Sequence, residues 1–290
     1  MRKKRRGLWK RGWPRLSEED FFSREHKVPD IASLPPVQIR AEELPPFPFT
    51  AMVGQEMMLK ATLVTLANPS IRGLIIAGDR ETGKATCLRS ATALLPMDVP
   101  VVEMPLNVTK ARLFGTKGRG GIIEQVSGGY LIVERINLFD DATSEKILSL
   151  ASEKGYTLLA TANMEDGGLP EGLASSSDMV VMVDSIVDIE ERIEILKRLE
   201  EYRRDMKGFY SLYSGGEDAL RNRLLKARDM VHSLELPKET LKSVDTLCKT
   251  RKSPGKKESL EMAAASNAAL DGRTWADVRD VKDVASLVLS

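Results

Sequence analysis

Five short runs of the chain are apolar without strict alternation: 73–78 (GLIIAG), 99–105 (VPVVEMP), 130–135 (YLIVER), 157–163 (TLLATAN) and 179–186 (MVVMVDSI). A run that is apolar on both faces suits a strand covered on both sides, as in a parallel sheet. Helical patterns over 84–95 and 140–153 stand between some of them, and the alternation predicts an open parallel α/β sheet. Beyond residue 186 no strand-like run remains. The pattern there predicts helices over 188–205, 217–232, 237–250, 256–271 and 275–289. In the first of these, Ile189, Ile193, Leu196 and Leu199 make an apolar stripe at helical spacing, as on a helix that faces a core. The stretches KGFYSLYSGGED and TRKSPGKK read as loop breaks. The expected organisation is an α/β nucleotide-binding-type domain over 46–187, a helical lid domain over 188–290, and an extension over 1–45. No internal repeat is visible.

Composition narrows the function classes. Hydrophobic residues make up 42% of the 290 residues and aromatics only 5%, so aliphatic side chains must fill the core. A net charge of +1 argues against a globally basic nucleic-acid binder. Cys87 and Cys248 lie too far apart in sequence for a metal-ligand motif or a disulfide framework, which makes a reducing cytoplasm the default. No run approaches the ~20 apolar residues that span a bilayer. Charge is concentrated at the start: MRKKRRGLWKRGWPR holds eight basic residues and two tryptophans. It lacks the apolar segment of a secretory signal and reads as a solvated tail, or as a docking arm for an acidic protein or nucleic acid. A proline-rich stretch comes next, a linker or an extended strap.

The chemistry is concentrated after the first strand. The segment 78–84, GDRETGK, has the G-x-x-x-x-G-K spacing of a phosphate-binding loop, set between a strand and a helix. In such a loop glycines let the backbone approach the phosphates, amides at the helix start point at them, and the lysine neutralises charge. The candidate nucleotide contacts are Gly78, Asp79, Arg80, Glu81, Thr82, Gly83, Lys84, Ala85 and Thr86. Two features depart from the pattern. Ala85 stands where a hydroxyl would hold Mg²⁺, and Thr86 is one position, about 100°, further round the helix. Glu81 adds a negative charge that phosphates would repel. The plainer alternative is a strand–turn–helix that binds nothing. The third strand ends in Glu134 and Arg135, where an ATPase wants an acidic pair. Glu134 could reach a metal, whereas the Arg135 guanidinium cannot act as a base. Both residues also suit plain surface charges past a strand end.

From here the residues resemble a family. FPFTAMVGQEMMLKATLVTLANPSIRGLIIAGDRETGKAT is similar to the start of the AAA+ ATPase subunits, I and D, of magnesium chelatase and the related cobaltochelatases. YLIVERINLFDD resembles the family's second nucleotide motif. TLLATANMEDGGLPEGL resembles its fourth-strand polar motif, with Asn163 at the sensor position, and SNAALDGRTWADVRDVKDVASLVL resembles the end of its lid. The resemblance covers about residues 46–290. It implies an AAA+ P-loop domain with a five-stranded parallel sheet and an all-helical lid, with ATP or ADP and Mg²⁺ as ligands. Against it stand four departures: Ala85; the pair Glu134 and Arg135; Ser176 at the position of the arginine that reaches a neighbouring subunit's nucleotide; and Gly255, flanked by Lys256 and Lys257, near the lid's arginine. Loss of such a finger arginine alone typically costs ~10³–10⁵ in rate. The resemblance therefore implies a D-type ATPase domain, without its adhesion domain, that keeps the fold and not the hydrolysis. Its expected partners are an active AAA+ paralogue, an adhesion-domain protein and a large tetrapyrrole-binding subunit. Two alternatives stay open: a working ATPase of the chelatase or MoxR-type chaperone class relying on Lys84, Glu134 and Asn163, and a nucleic-acid-linked AAA+ relic using the basic tail.

Overall fold

The computed structural model describes residues 46–105, 108–117 and 120–289. The basic tail and most of the proline-rich stretch lie outside the described residues. The described residues all belong to one compact unit.

The five apolar runs form one sheet: β1 (Gly73–Gly78), β2 (Val101–Met104), β3 (Tyr130–Val133), β4 (Thr157–Asn163) and β5 (Met179–Val183). Their order is β2-β3-β4-β1-β5 and every pairing is parallel. Helices α1 (Glu56–Ala67), α2 (Lys84–Thr92), α3 (Lys110–Phe114), α4 (Ile122–Gln125), α5 (Asp141–Lys154) and α6 (Glu171–Ser176) accompany the sheet. Helices α7 (Ile189–Arg204), α8 (Met206–Met230), α9 (Lys238–Thr250), α10 (Lys257–Leu270) and α11 (Val278–Val288) complete the chain.

Successive residues of a strand point to opposite faces, and the core divides accordingly. Ile75 and Ala77 of β1 join Leu131, Leu158 and Ala160 against Ile147 and Ala151 of α5. Leu74 and Ile76 face the other way, against Met58 and Val64 of α1 and Leu88 of α2. That second cluster continues without a break into Leu224 of α8, Val244 of α9, Ala263, Ala264 and Ala268 of α10, and Val284 of α11. The alanines of α10 allow close helix approach. The expected boundary near residue 188 thus marks a change of secondary structure and not a gap in the core.

Two expectations fail against packing. KGFYSLYSGGED is no loop: α8 runs through Gly208, Gly215 and Gly216. Each glycine costs the helix up to about 1 kcal/mol, but tertiary contacts outweigh this. Glu217 is buried and accepts hydrogen bonds from both the backbone N–H and the hydroxyl of Thr50, each 2.8 Å. An added Cβ on Gly216 would lie 3.4 Å from the Thr50 hydroxyl oxygen, so the small residue suits the close approach. The stripe on α7 is exposed except at the half-buried Leu199, with Ile189 at 70% and Leu196 at 66%, and no residue of that helix is fully buried. The helix is instead held by Arg198, which donates to the Ala51 carbonyl at 2.9 Å, and by Tyr202, whose ring meets Phe47 edge-on.

Because one core joins α10 to β1, Ala264→Leu is expected to destabilise the whole fold by about 1–3 kcal/mol through overpacking. Urea unfolding should show one lowered midpoint, with amide protection of 74–77 and 260–269 falling together. Loss of protection in α10 alone would show that the helical part unfolds separately.

Candidate functional site

The loop after β1 lies at the carboxyl ends of the strands, where parallel α/β sheets place their ligands. Its path is set by contact with β5. Gly78 has φ +150°, and a Cβ there would lie 1.8 Å from the Val183 carbonyl oxygen, so only glycine fits. The Asp79 N–H donates to that same carbonyl at 3.2 Å, and the Asp79 carboxylate accepts from the N–H and hydroxyl of Ser185. Glu81, at φ +60°, is exposed, so its charge points to solvent. Gly83, at φ +82°, precedes α2, and the first N–H groups of that helix face the loop.

Lys84 is 5% exposed and folds back into its own loop. Its ammonium donates to the carbonyls of Gly78 (3.1 Å) and Asp79 and to the Thr82 hydroxyl (3.1 Å). Burial pulls its pKa below the ordinary lysine value, against the opposing charges of Asp79 and Glu165. The cation is thus held on loop oxygens.

The expected Mg²⁺ ligands do not make a metal site. Ala85 has no donor. Ala85 and Arg89 are four apart on α2 and share a face. From there Arg89 reaches Glu103 at the end of β2, donating from Nε at 3.1 Å and from Nη2 at 2.5 Å, and its Nη2 also pairs with Glu134 beyond β3. A guanidinium therefore occupies the carboxylate offered for the metal. Burial raises the Glu134 pKa above the usual carboxylate value, Arg89 opposes this, and Glu103 adds to it. Among the described residues no group of three or more acidic, histidine or cysteine side chains could hold a metal ion. Mg²⁺ needs only one or two protein ligands beside waters and phosphates, but Ala85 has no side-chain oxygen and Glu134 is already paired with Arg89, so these residues do not fit it.

Asn163 ends β4 directly beside Gly78 in the parallel register, so the sensor position does reach the loop. Arg135, with its backbone in the left-handed region at φ +53°, turns towards Asp166. Its Nε and Nη2 donate to one Asp166 oxygen at 2.9 and 2.6 Å. The same oxygen accepts from the Asn163 amide at 3.2 Å, and Arg80 of the loop takes the other oxygen. Arg80 also pairs with Glu165 at 3.0 Å. Hydrogen bonds from Arg135 first, then from Asn163 and Arg80, hold the Asp166 carboxyl below the usual carboxylate range. The structure thus brings together the loop, Glu134, Arg135 and Asn163. It also adds Arg89, Glu103 and Asp166, which sequence reasoning left without a role. The signal for Arg89 was its i+4 spacing from Ala85, and for Asp166 an acid three residues after the sensor amide.

Other expected positions lie elsewhere. Ser176 ends α6 and is exposed. Lys256 donates to the carbonyls of Ala174 and Ser177, and burial lowers its pKa; Lys257 pairs with Asp245 at 2.8 Å. Neither lysine is committed to the loop. A cleft of about 750 Å³, lined by residues including Arg72, Lys146, Ser176 and Asp178, opens at the amino ends of β1 and β5, the opposite edge of the sheet. Among the described residues no helix is long and apolar enough to cross a membrane.

Known proteins resemble this chain in sequence and in fold. No protein-family model matches the chain. The magnesium-chelatase 38 kDa subunit of Rhodobacter capsulatus is 29% identical over 320 residues, covering 90% of this chain and 91% of that one. A magnesium-chelatase subunit ChlI homolog from Methanocaldococcus jannaschii is 25% identical over 307 residues, covering 84% of each. A putative ATPase from Cytophaga hutchinsonii shares the fold, with a TM-score of 0.60 and 16% identity over 82% of each chain. These magnesium-chelatase relatives, a 38 kDa subunit and a ChlI homolog, support the I type within the family that the residues resemble.

Removing Arg89 leaves Glu103 and Glu134 facing each other without their shared cation. Arg89→Ala is expected to cost about 1–2 kcal/mol near neutral pH, between the limits for exposed and buried pairs. A carboxyl whose folded pKa is raised contributes stability below its unfolded value and loses it as pH rises through the folded one. The deficit should therefore be smallest below about pH 4.5, the ordinary glutamate value, and grow towards pH 7. Denaturant midpoints measured across that range check this. A deficit independent of pH would mean that the pair is not coupled through Glu134.

Proposed function

Because the chain belongs to the magnesium-chelatase AAA+ subunits, of the I type, we propose that it binds nucleotide without turning it over. On this reading it serves as a structural or regulatory subunit of an assembly that inserts a metal ion into a tetrapyrrole in the cytoplasm. The observation that carries the reading is the fate of the catalytic positions. The phosphate loop keeps its glycines and its lysine, while the metal carboxylate is spent on Arg89 and the water-orienting position is a guanidinium held by Asp166. Binding needs the former and hydrolysis the latter. ATP or ADP is the proposed ligand, with Gly83, Lys84 and the backbone amides of 80–86 on the phosphates.

The proposed partners are an active AAA+ paralogue, an adhesion-domain protein and a large tetrapyrrole-binding subunit. A subunit that has lost its chemistry keeps its fold where its interfaces still matter. Residues 46–187 are proposed as the nucleotide-binding part and 188–290 as the lid. A second reading, an active ATPase of the chelatase or MoxR-type class, draws on the intact Lys84 and on Asn163 beside the loop.

The purified full chain should show no ATP turnover that Lys84→Ala abolishes, and should co-purify with an active AAA+ paralogue when the two are co-expressed. Robust turnover lost in Lys84→Ala would replace this reading by the second.

A further inference from the structure

Asp166 is bound as a phosphate would be. Its carboxylate is 8% exposed at the side chain and receives two N–H groups from Arg135, one from Arg80 and one from the Asn163 amide. Two planar guanidiniums and an amide around one anion are the donors that recognise a phosphoryl group. One of them, Arg80, belongs to the phosphate loop itself, and another, Asn163, stands beside Gly78 in register. We infer that Asp166 is a built-in stand-in for the terminal phosphate of a nucleoside triphosphate, displaced when that phosphate arrives and not by a diphosphate. The inference rests on the nucleotide-binding reading and names how that site is regulated.

The exchange needs no metal: a terminal phosphate of about two negative charges meets the two guanidiniums that now hold one carboxylate. A triphosphate terminus takes over Arg80, Arg135 and Asn163, and the Asp166 carboxylate is released to solvent. A diphosphate occupies the loop amides and Lys84 but leaves the Asp166 contacts in place. The released carboxylate sits on a short turn, 164–168, that can accommodate the change. Gly167 is at φ +128°, and neither Gly167 nor Gly168 has a neighbour within 4 Å of where a side chain would be. The turn's other anchor is Asn137, which donates to the carbonyls of Asn163 and Gly167 at 2.9 Å each. Immediately after it, Pro170 caps α6, the helix that ends at the exposed Ser176. Triphosphate occupancy is thus passed to the surface of α6 by the loss of one ion-pair cluster, with no bond broken in the nucleotide. Such a device reports which nucleotide is bound in a subunit that does not hydrolyse it.

The test uses the full chain with a non-hydrolysable ATP analogue and ADP, by calorimetric titration and by amide hydrogen exchange. Asp166→Asn removes the competing anion and should tighten the analogue by about tenfold, within the usual range of coupling between linked groups, while changing ADP by less than about twofold. In the unsubstituted chain the analogue should speed exchange over 164–170, and ADP should not. This second readout does not depend on how well the variant folds. Equal effects of Asp166→Asn on both ligands, or analogue binding with no change over 164–170, overturns the inference while leaving nucleotide binding standing. If neither the chain nor Asp166→Asn binds either ligand, the nucleotide reading falls and this inference with it.

Discussion

The parallel register of β1 with β4 and β5 is the constraint on which the site depends. It sets Gly78 between Asn163 on one side and Val183 on the other. The Val183 carbonyl is so close that no side chain fits at Gly78, and it also takes the Asp79 N–H, so the loop leaves the sheet in one direction only. The same ladder sets Val133 beside Ala160, which brings Glu134 and Arg135 to the same sheet edge. A slip of one residue would move every strand side chain to the other face and unmake both cores. The fold and the site therefore stand on the same hydrogen-bonded pairs.

Within that frame the charges at the sheet edge are satisfied among themselves. Lys84 sits on loop carbonyls, Arg89 bridges Glu103 and Glu134, and Arg135 and Arg80 share Asp166. Partly buried charges need partners of this kind. The arrangement changes what the edge can do. A guanidinium on Glu134 competes with any divalent cation, and a guanidinium at residue 135 cannot take a proton from water. What remains is a glycine-lined loop with amides, one lysine and two arginines able to meet anionic oxygen. On the proposed reading that combination recognises phosphate and does not cleave it.

Some of this was legible in the residues and some was not. The runs GLIIAG and TLLATAN coincide with β1 and β4 because both strands are buried nearly throughout, and an unbroken apolar run records two-sided burial directly. The loop was legible because glycine and lysine spacing reflects local geometry. α8 was hidden because Gly208, Gly215 and Gly216 argue locally for a break, whereas its helix is held by Thr50 and Phe47, more than 150 residues away in sequence. The stripe on α7 misled for the opposite reason: periodicity shows that a face is apolar, not that anything covers it. Asp166 and Arg89 escaped because their roles are pairings across strand ends. Sequence spacing shows which charges exist but not which of them meet.

On the proposed reading this edge of the sheet binds phosphate with the protein's own cations and no metal. Calorimetric titration of the full chain with ADP, once in excess EDTA and once in excess Mg²⁺, tests it most directly. The account predicts binding in both, with dissociation constants within about threefold of each other, less than the 1.4 kcal/mol that a tenfold change represents. Binding only in Mg²⁺, or binding more than about tenfold weaker in EDTA, would contradict it.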